Sequence, residues 1–394
     1  MDLFLATAQE GLNSMIRQLW GIAQSRQSKA DFPLRIVDDP ETIRAIFNDA
    51  DTFQKNYDFL DSFSKGRFSD NGHSWSTRTH LTQPNYSKNH FLKHAEDAHA
   101  IYLAEFNQLS EASSLEDIGA AVIEAAVKVV SQVLGFDSGI PWDPAWAARV
   151  RNALVKRQWI GFAGTTPEQL NAVNNELREL RDECAKVWEQ VPQIQVTFKR
   201  FKEQCPDIID FDPVQELIQN IIASTETTGA TIMWATTILA CRQDLQNDLR
   251  LKNSSVDNFI QELLRLYPPV PFVSRRVDKN SSAGTETFRA GEAFLVSIFG
   301  LHYSTFWKDA LSFNPERFNT EACLRDHYMP FLIGPRTCGG RKLAELELRI
   351  AIPILLEKFQ FFIQNSSQVS AEYGLSFRPI ASSFSIVLNK NFRD

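Results

Sequence analysis

The chain has 394 residues, 23% of them charged and 43% hydrophobic, the balance of a soluble globular protein with a large core. Its 41 basic and 48 acidic residues give a formal charge of −7, which argues against a nucleic-acid-binding role. Five cysteines, Cys184, Cys205, Cys241, Cys323 and Cys338, form no C-x-x-C pair and read as reduced, intracellular thiols rather than a disulfide framework.

No run approaches about 18 consecutive apolar residues, so no membrane span is expected. The first residues lack the basic region and sustained apolar stretch of a secretory signal. Leu5, Leu12, Met15, Ile16, Leu19 and Trp20 instead recur as one face of an amphipathic helix. Leu34-Arg35-Ile36-Val37 reads as a strand, and Asp39-Pro40 as the cap and first turn of a helix reaching about Phe47. Residues 54–74 are polar and contain glycine, which predicts a long loop. Helical patterns fill most of 85–205, including Leu170 to Trp188. Asp212-Pro213 opens a helical run to about Cys241, roughly 43 Å long at about 1.5 Å per residue, enough to cross a domain. Another helix ends at Tyr267-Pro268-Pro269, short strands follow around 270–298 with Gly284 and Gly291 at turns, and a last hairpin is expected between Leu375 and Leu388. No repeat, low-complexity linker or domain boundary interrupts the pattern. The expected fold is mainly α with small β-sheets, residues 1–394 forming one domain.

Two stretches carry chemistry. In the long helix, Ala223-Ser224-Thr225-Glu226-Thr227-Thr228 places hydroxyls and an acid among Ile221, Ile222, Ile232, Met233 and Trp234. Buried polar groups need partners, and serine and threonine at such positions compete for backbone carbonyls. The second stretch is Phe331-Leu332-Ile333-Gly334-Pro335-Arg336-Thr337-Cys338-Gly339-Gly340. Leu343, Leu346, Ile350, Ile354 and Leu355 recur at helical spacing after it, so Cys338 lies just before a helix, where a thiolate is favoured. A thiolate there can bind iron, the glycines admit a flat ligand close to the backbone, and Arg336 can pair with a carboxylate of that ligand. A buried structural cysteine at a helix start is the plainer reading.

The spacing F-x-x-G-x-R-x-C-x-G resembles the haem-binding signature of the cytochrome P450 family at every fixed position, and Ala344 and Glu347 fit its downstream pattern. Elsewhere, Glu226-Thr227 is similar to the family's acid–alcohol pair. Glu262-Leu263-Leu264-Arg265, followed by Tyr267-Pro268-Pro269, is similar to its E-x-x-R helix, and Pro315-Glu316-Arg317-Phe318 to its P-E-R-F. Trp75 lies nine residues before Pro84, as in its W-x-x-x-R helix. The resemblance runs from about residue 34 to the C-terminus, with little room for the family's first strand.

The resemblance implies a cytochrome P450 fold with the long central helix over haem b. Cys338 would be the axial ligand of the haem iron, with Phe331, Gly340 and Ala223 against the haem. Arg336, Arg275 and Trp75 would meet its propionates, Arg276 being the alternative to Arg275. Glu226 and Thr227 would relay protons to dioxygen, and their presence favours dioxygen over peroxide. Glu262, Arg265 and Arg317 would form a buried structural triad, and His302 is structural. Two positions depart from the pattern: Ser224 replaces the usual glycine, and Thr79 stands where arginine or histidine is usual, so one propionate contact is lost or rerouted.

By the same resemblance the chain would be a monooxygenase of a hydrophobic organic substrate. A terpenoid, fatty-acid-like or aromatic scaffold of secondary metabolism would contact the 54–74 loop, helices within 150–205, Asn220, Ala223, Val270, Phe272 and Ile380-Ala381-Ser382. No flavin or iron–sulfur segment is present, so two electrons would come from an external ferredoxin or flavodoxin with its reductase. Lys88, Lys93, Arg341 and Lys342 are candidates for a basic docking patch. Absence of the hydrophobic leader and proline-rich hinge of membrane-anchored members points to a soluble, bacterial-type, cytoplasmic enzyme. Atypical chemistry on the same cofactor (oxidative coupling, ring formation or rearrangement) and a non-enzymatic haem sensor or carrier are the alternatives.

Overall fold

The protein is described by a computed structural model over residues 35–136, 139–160, 166–320, 326–364, 369–381 and 384–388. The expected N-terminal amphipathic helix, Cys323 and Ser382 lie outside these residues. The longest element is the central helix Pro213–Cys241, 29 residues. It starts where the Asp212 carboxylate accepts the N–H of Val214 and Pro213 supplies a first-turn residue without a donor. Most of its residues are buried, with no solvated face along much of its length, so it is a core helix held by packing from all sides. The helix Leu115–Val133 lies along it, started by a capping box between Ser114 and Asp117. The helix Arg341–Lys358 packs on it as well and also contacts Ala95–Phe106.

The strands are β1 (Arg35–Val37), β2 (Phe53–Lys55), β3 (Phe272–Val277), β4 (Ser281–Ala283), β5 (Glu286–Phe288), β6 (Ala293–Ser297), β7 (Phe359–Ile363), β8 (Val369–Tyr373), β9 (Phe377–Ala381) and β10 (Phe384–Leu388). They form one four-stranded sheet, β1-β6-β3-β2, and three two-stranded pairs, β7 with β10, β4 with β5, and β8 with β9. β1 is parallel to β6, and the other pairs are antiparallel. The four-stranded sheet and the helix Pro40–Asn48 enclose a second apolar cluster that includes Ile43, Phe53, Phe288 and Phe294.

Two expectations are corrected. The 375–388 segment is not one hairpin: β9 turns back on β8 through Gly374, while β10 pairs with β7 in a register that sets Ile386 opposite Phe361, both buried. Local alternation reveals the strands but not the partners, because register is set by the faces they bury. Residues 54–74 are not one long loop either. Gln54 and Lys55 belong to β2, Asp58–Leu60 is a 3-10 turn, and a helix begins at Gly72.

Glu347 on the helix Arg341–Lys358 is buried and accepts a hydrogen bond from the Tyr102 hydroxyl at 3.1 Å. Burial raises its carboxyl to about 8, with the Tyr102 bond opposing the rise. A folded-state value above the unfolded one means that this group's stabilisation is full below about pH 4.5 and is lost as pH rises toward 8. Glu347→Gln is therefore expected to gain in thermal midpoint on the wild type as pH is raised from 5 to 8. Parallel pH profiles of the two proteins would remove this assignment.

Candidate functional site

The loop Phe331–Gly340 is folded on itself before the helix at Arg341. The Cys338 N–H donates to Phe331 O at 2.8 Å, and the Thr337 N–H donates to Gly334 O at 3.1 Å across a 3-10 turn. Gly334 has φ +72°, and a Cβ there would stand 2.3 Å from Phe47 O, so this position requires glycine. Leu332 also takes a left-handed φ of 58°, a conformation that costs energy for a branched residue and marks a tightly constrained loop. Gly340 caps the following helix, and a Cβ added to it would meet nothing within 4 Å, leaving open room beside the cysteine.

Cys338 lies deep among the atoms of the chain, yet its side chain is solvent-accessible, so it faces a recess within the protein. Burial pushes its thiol up. The N–H groups of Gly340 and Arg341 and the guanidinium groups of Arg67 and Arg341 oppose the rise without overcoming it. Burial thus works against the thiolate that a helix start favours.

Four cations gather near this loop. Lys55 is held well below the usual lysine range by burial and by Arg336, Arg275 and Arg67. Arg336 is lowered to about 10, first by burial and then by Arg275. Its Nε and Nη1 are buried without hydrogen-bond partners, and its guanidinium stacks on Trp75 at 3.4 Å from the ring centre. Arg275 is buried, lies over Phe47 and donates to Ser274 O. Among the described residues none of the four forms an ion pair. Lys55 donates to Arg67 O at 2.7 Å and Phe68 O at 2.8 Å, so the unmatched donors are those of Arg336, and a cluster of cations without carboxylates around them calls for an anionic ligand. Arg276, by contrast, pairs with Asp58 at 2.6 Å and is half exposed.

Behind the loop, Glu262, Arg265 and Arg317 are buried together. Arg265 grips Glu262 through two bonds of 2.8 and 2.9 Å, and Arg317 Nε reaches the same carboxylate at 3.0 Å. His302 joins this network to the loop, its Nδ1 lying 3.0 Å from Arg265 O while its Nε2 accepts the Met329 N–H at 3.0 Å. Burial and Arg265 hold the imidazole down to about 3, so it is neutral and its Nε2 accepts.

On the central helix every hydroxyl from Ser224 to Thr231 bonds the carbonyl four residues back, Thr227 reaching Ala223 O at 3.0 Å. Ala223, Glu226 and Thr227 also line a cavity of about 740 Å³, together with Val270 and Phe272. Glu226 receives Arg151 Nε on both oxygens, at 2.9 and 3.2 Å. Asn220 does not line this cavity: its amide is spent on Glu216 O and the Tyr86 hydroxyl, and Gln219 takes the lining position. Ile380 is exposed and does not line it either. The turn Tyr373-Gly374-Leu375 does so in its place. Nothing is described of the Ala381 side chain. In the basic patch, Arg341 and Lys342 share Glu345, whereas Lys88 and Lys93 are exposed.

Sequence reasoning missed Lys55, Arg67 and Arg151. Each is a lone cation without motif spacing, and only the fold brings it to the site.

A family model described as cytochrome P450 matches residues 254–381. Among curated proteins, the chain is 30% identical over 178 residues to a cytokinin hydroxylase of Arabidopsis thaliana, covering 40% of this chain and 34% of that protein. It is 28% identical over 299 residues to LUTEIN DEFICIENT 5 of the same plant, covering 67% of this chain and 48% of the relative. The chain thus spans about a third to a half of the length of these relatives. Among solved structures, CYP175A1 from Thermus thermophilus superposes with a TM-score of 0.76 at 18% identity, over 96% of both chains. Among the described residues no helix is long and apolar enough to cross a membrane.

Proposed function

We propose that this chain, a member of the cytochrome P450 family, is a haem-thiolate monooxygenase that oxidises a hydrophobic organic molecule with dioxygen and two electrons from a separate redox partner. The observation that carries this reading is the recess at Cys338. An accessible thiol, an open glycine backbone and four cations without paired carboxylates suit a flat, iron-bearing macrocycle with two carboxylates. The haem, when bound, supplies dioxygen activation. Cys338 would hold the iron, and Arg336, Arg275 and Lys55 would meet the carboxylates, with Trp75 stacked on Arg336.

In the cavity bordered by Glu226 and Thr227 the chain's own residues would orient the substrate and handle protons. The cavity is within the size range of small-molecule pockets. Tyr57, Phe59, Phe63, Phe68 and Phe272 give it apolar, aromatic walls, and its charged groups include Asp58, Arg157 and Arg276. This favours an apolar ring-bearing substrate of the kind made in secondary metabolism. Glu226, steadied by Arg151, and Thr227, one residue on, would hold and pass protons at the cavity wall. A haem sensor has no use for such a pair. Lys88 and Lys93 would help receive an acidic ferredoxin or flavodoxin, in keeping with a soluble cytoplasmic enzyme.

The test is spectroscopic and chemical together. The reduced, carbon-monoxide-treated wild type is expected to show the red-shifted Soret band of thiolate ligation, and Cys338→Ala to lose it. With dioxygen and a reconstituted reductase system the wild type is expected to turn over a hydrophobic substrate found by spin-state screening. An unaltered band in Cys338→Ala would sink the reading.

A further inference from the structure

Around Thr79, the helix Gly72–Thr82 carries no uncommitted guanidinium for a haem carboxylate. Thr79 spends its hydroxyl on Trp75 O at 2.8 Å. Arg78 is buried and committed to Asp70 at 3.0 Å and Glu216 at 3.1 Å, with its guanidinium over Phe211. His80 has its Nδ1 at 2.8 Å from Ser76 O on the exposed side.

Arg67, on the loop leading into that helix, is placed differently. Its guanidinium lies over Tyr86 and donates to Gln83 Oε1 at 2.9 Å. A Cβ on Gly339, next to Cys338, would come within 3.0 Å of its Nη2. It is close enough to act electrostatically on both Lys55 and Cys338, so it stands between the cation cluster and the cysteine. It has no ion-pair partner among the described residues, since the nearby Glu216 carboxylate is taken by Arg78. Its backbone is fixed: the Glu216 oxygens accept the Arg67 N–H at 3.1 and 3.2 Å, Gln219 accepts the Phe68 N–H, and Gln215 accepts the Lys65 N–H. A side chain with one spare fork of donors, carried on a loop pinned to the central helix, is preorganised for an anion.

We infer that Arg67 takes over the carboxylate contact that the helix at Thr79 lacks, so that the haem is gripped from the loop rather than from the helix. The inference rests on the haem reading above. Loss of one charge-assisted hydrogen bond should speed haem loss about tenfold or more.

The experiment measures transfer of haem from the loaded protein to an excess of apomyoglobin, alongside thermal unfolding of the haem-free chain. Arg67→Leu is expected to lose haem about tenfold faster with the haem-free midpoint unchanged, and Arg67→Lys to fall between. Adding Thr79→Arg to Arg67→Leu is expected to recover most of the retention, because it restores a cation on the helix. Wild-type retention in Arg67→Leu would overturn the inference. So would faster loss accompanied by a destabilised haem-free chain that Thr79→Arg leaves uncorrected, since Arg67 would then act only by packing. A wild type that takes up no haem would overturn the haem reading itself, a result distinct from both.

Discussion

Arg265→Ala is expected to yield no folded, haem-loaded protein. The guanidinium is wholly buried and makes two bonds to Glu262. It also donates to His302 O at 2.8 Å and Ala310 O at 2.9 Å, and sits over the Trp307 ring. Truncation to alanine strips these carbonyls of a donor and leaves the Glu262 carboxylate with one cation, Arg317, and the Asn314 N–H. Removing one member of a buried charge network costs about 3–5 kcal/mol. That is much of the roughly 5–15 kcal/mol by which a domain is stable. The damage also reaches the Cys338 loop, because the Arg265 carbonyl holds His302, His302 holds Met329, and Met329 O accepts the Leu332 N–H. Arg265→Lys is expected to fail as well, since a single ammonium cannot reproduce the two-pronged grip on Glu262 while reaching two carbonyls. Soluble yield and haem per chain after purification provide the measurement. A normally folded, haem-replete Arg265→Ala protein would refute the structural role.

The parts of this protein legible in its sequence are those where one short segment carries its own reason. Asp212-Pro213 announces a helix start because the cap and the first-turn proline act within three residues. Glu262 and Arg265 share a helix face by spacing alone, and the glycines around Cys338 state that a backbone must come close to something. The cations near Cys338 were only half visible. Arg336 and Arg275 sit at family positions, whereas Lys55 reaches the site because β2 pairs with β3, setting Lys55 opposite Arg275. Arg151 lies 75 residues from Glu226, on a separate helix, and no periodicity links the two. The placement of Asn220 shows the same limit from the other side. The helical pitch puts it one residue from the cavity-lining Gln219, but whether its amide faces the cavity or Tyr86 depends on what packs against it.

Thr227→Ala is expected to leave haem content and substrate binding near wild type while cutting product formed per reducing equivalent. Alanine is the best helix former, so the central helix loses nothing locally. The hydroxyl it removes is distinct from its neighbours. Thr225 and Thr228 are buried and closed onto Ile221 O and Ser224 O, and neither lines the cavity. Thr227 lines it, and while its hydrogen bonds Ala223 O its lone pairs remain available as an acceptor. In the proposed mechanism a hydroxyl that accepts from one side and donates to the other would conduct protons, and Glu226 beside it, paired with Arg151, would be their source. General acid–base assistance of this kind is worth about 10²–10⁴-fold. Without it, reducing equivalents should leave as hydrogen peroxide rather than as product. Thr228→Ala serves as the control and is expected to keep its coupling, because its hydroxyl is shut inside the helix packing. The substrate should carry no hydroxyl near the reacting carbon, which would otherwise replace the missing group. Equal coupling in Thr227→Ala and wild type with such a substrate would remove Thr227 from the mechanism and leave Glu226 to reach the reacting atoms through water.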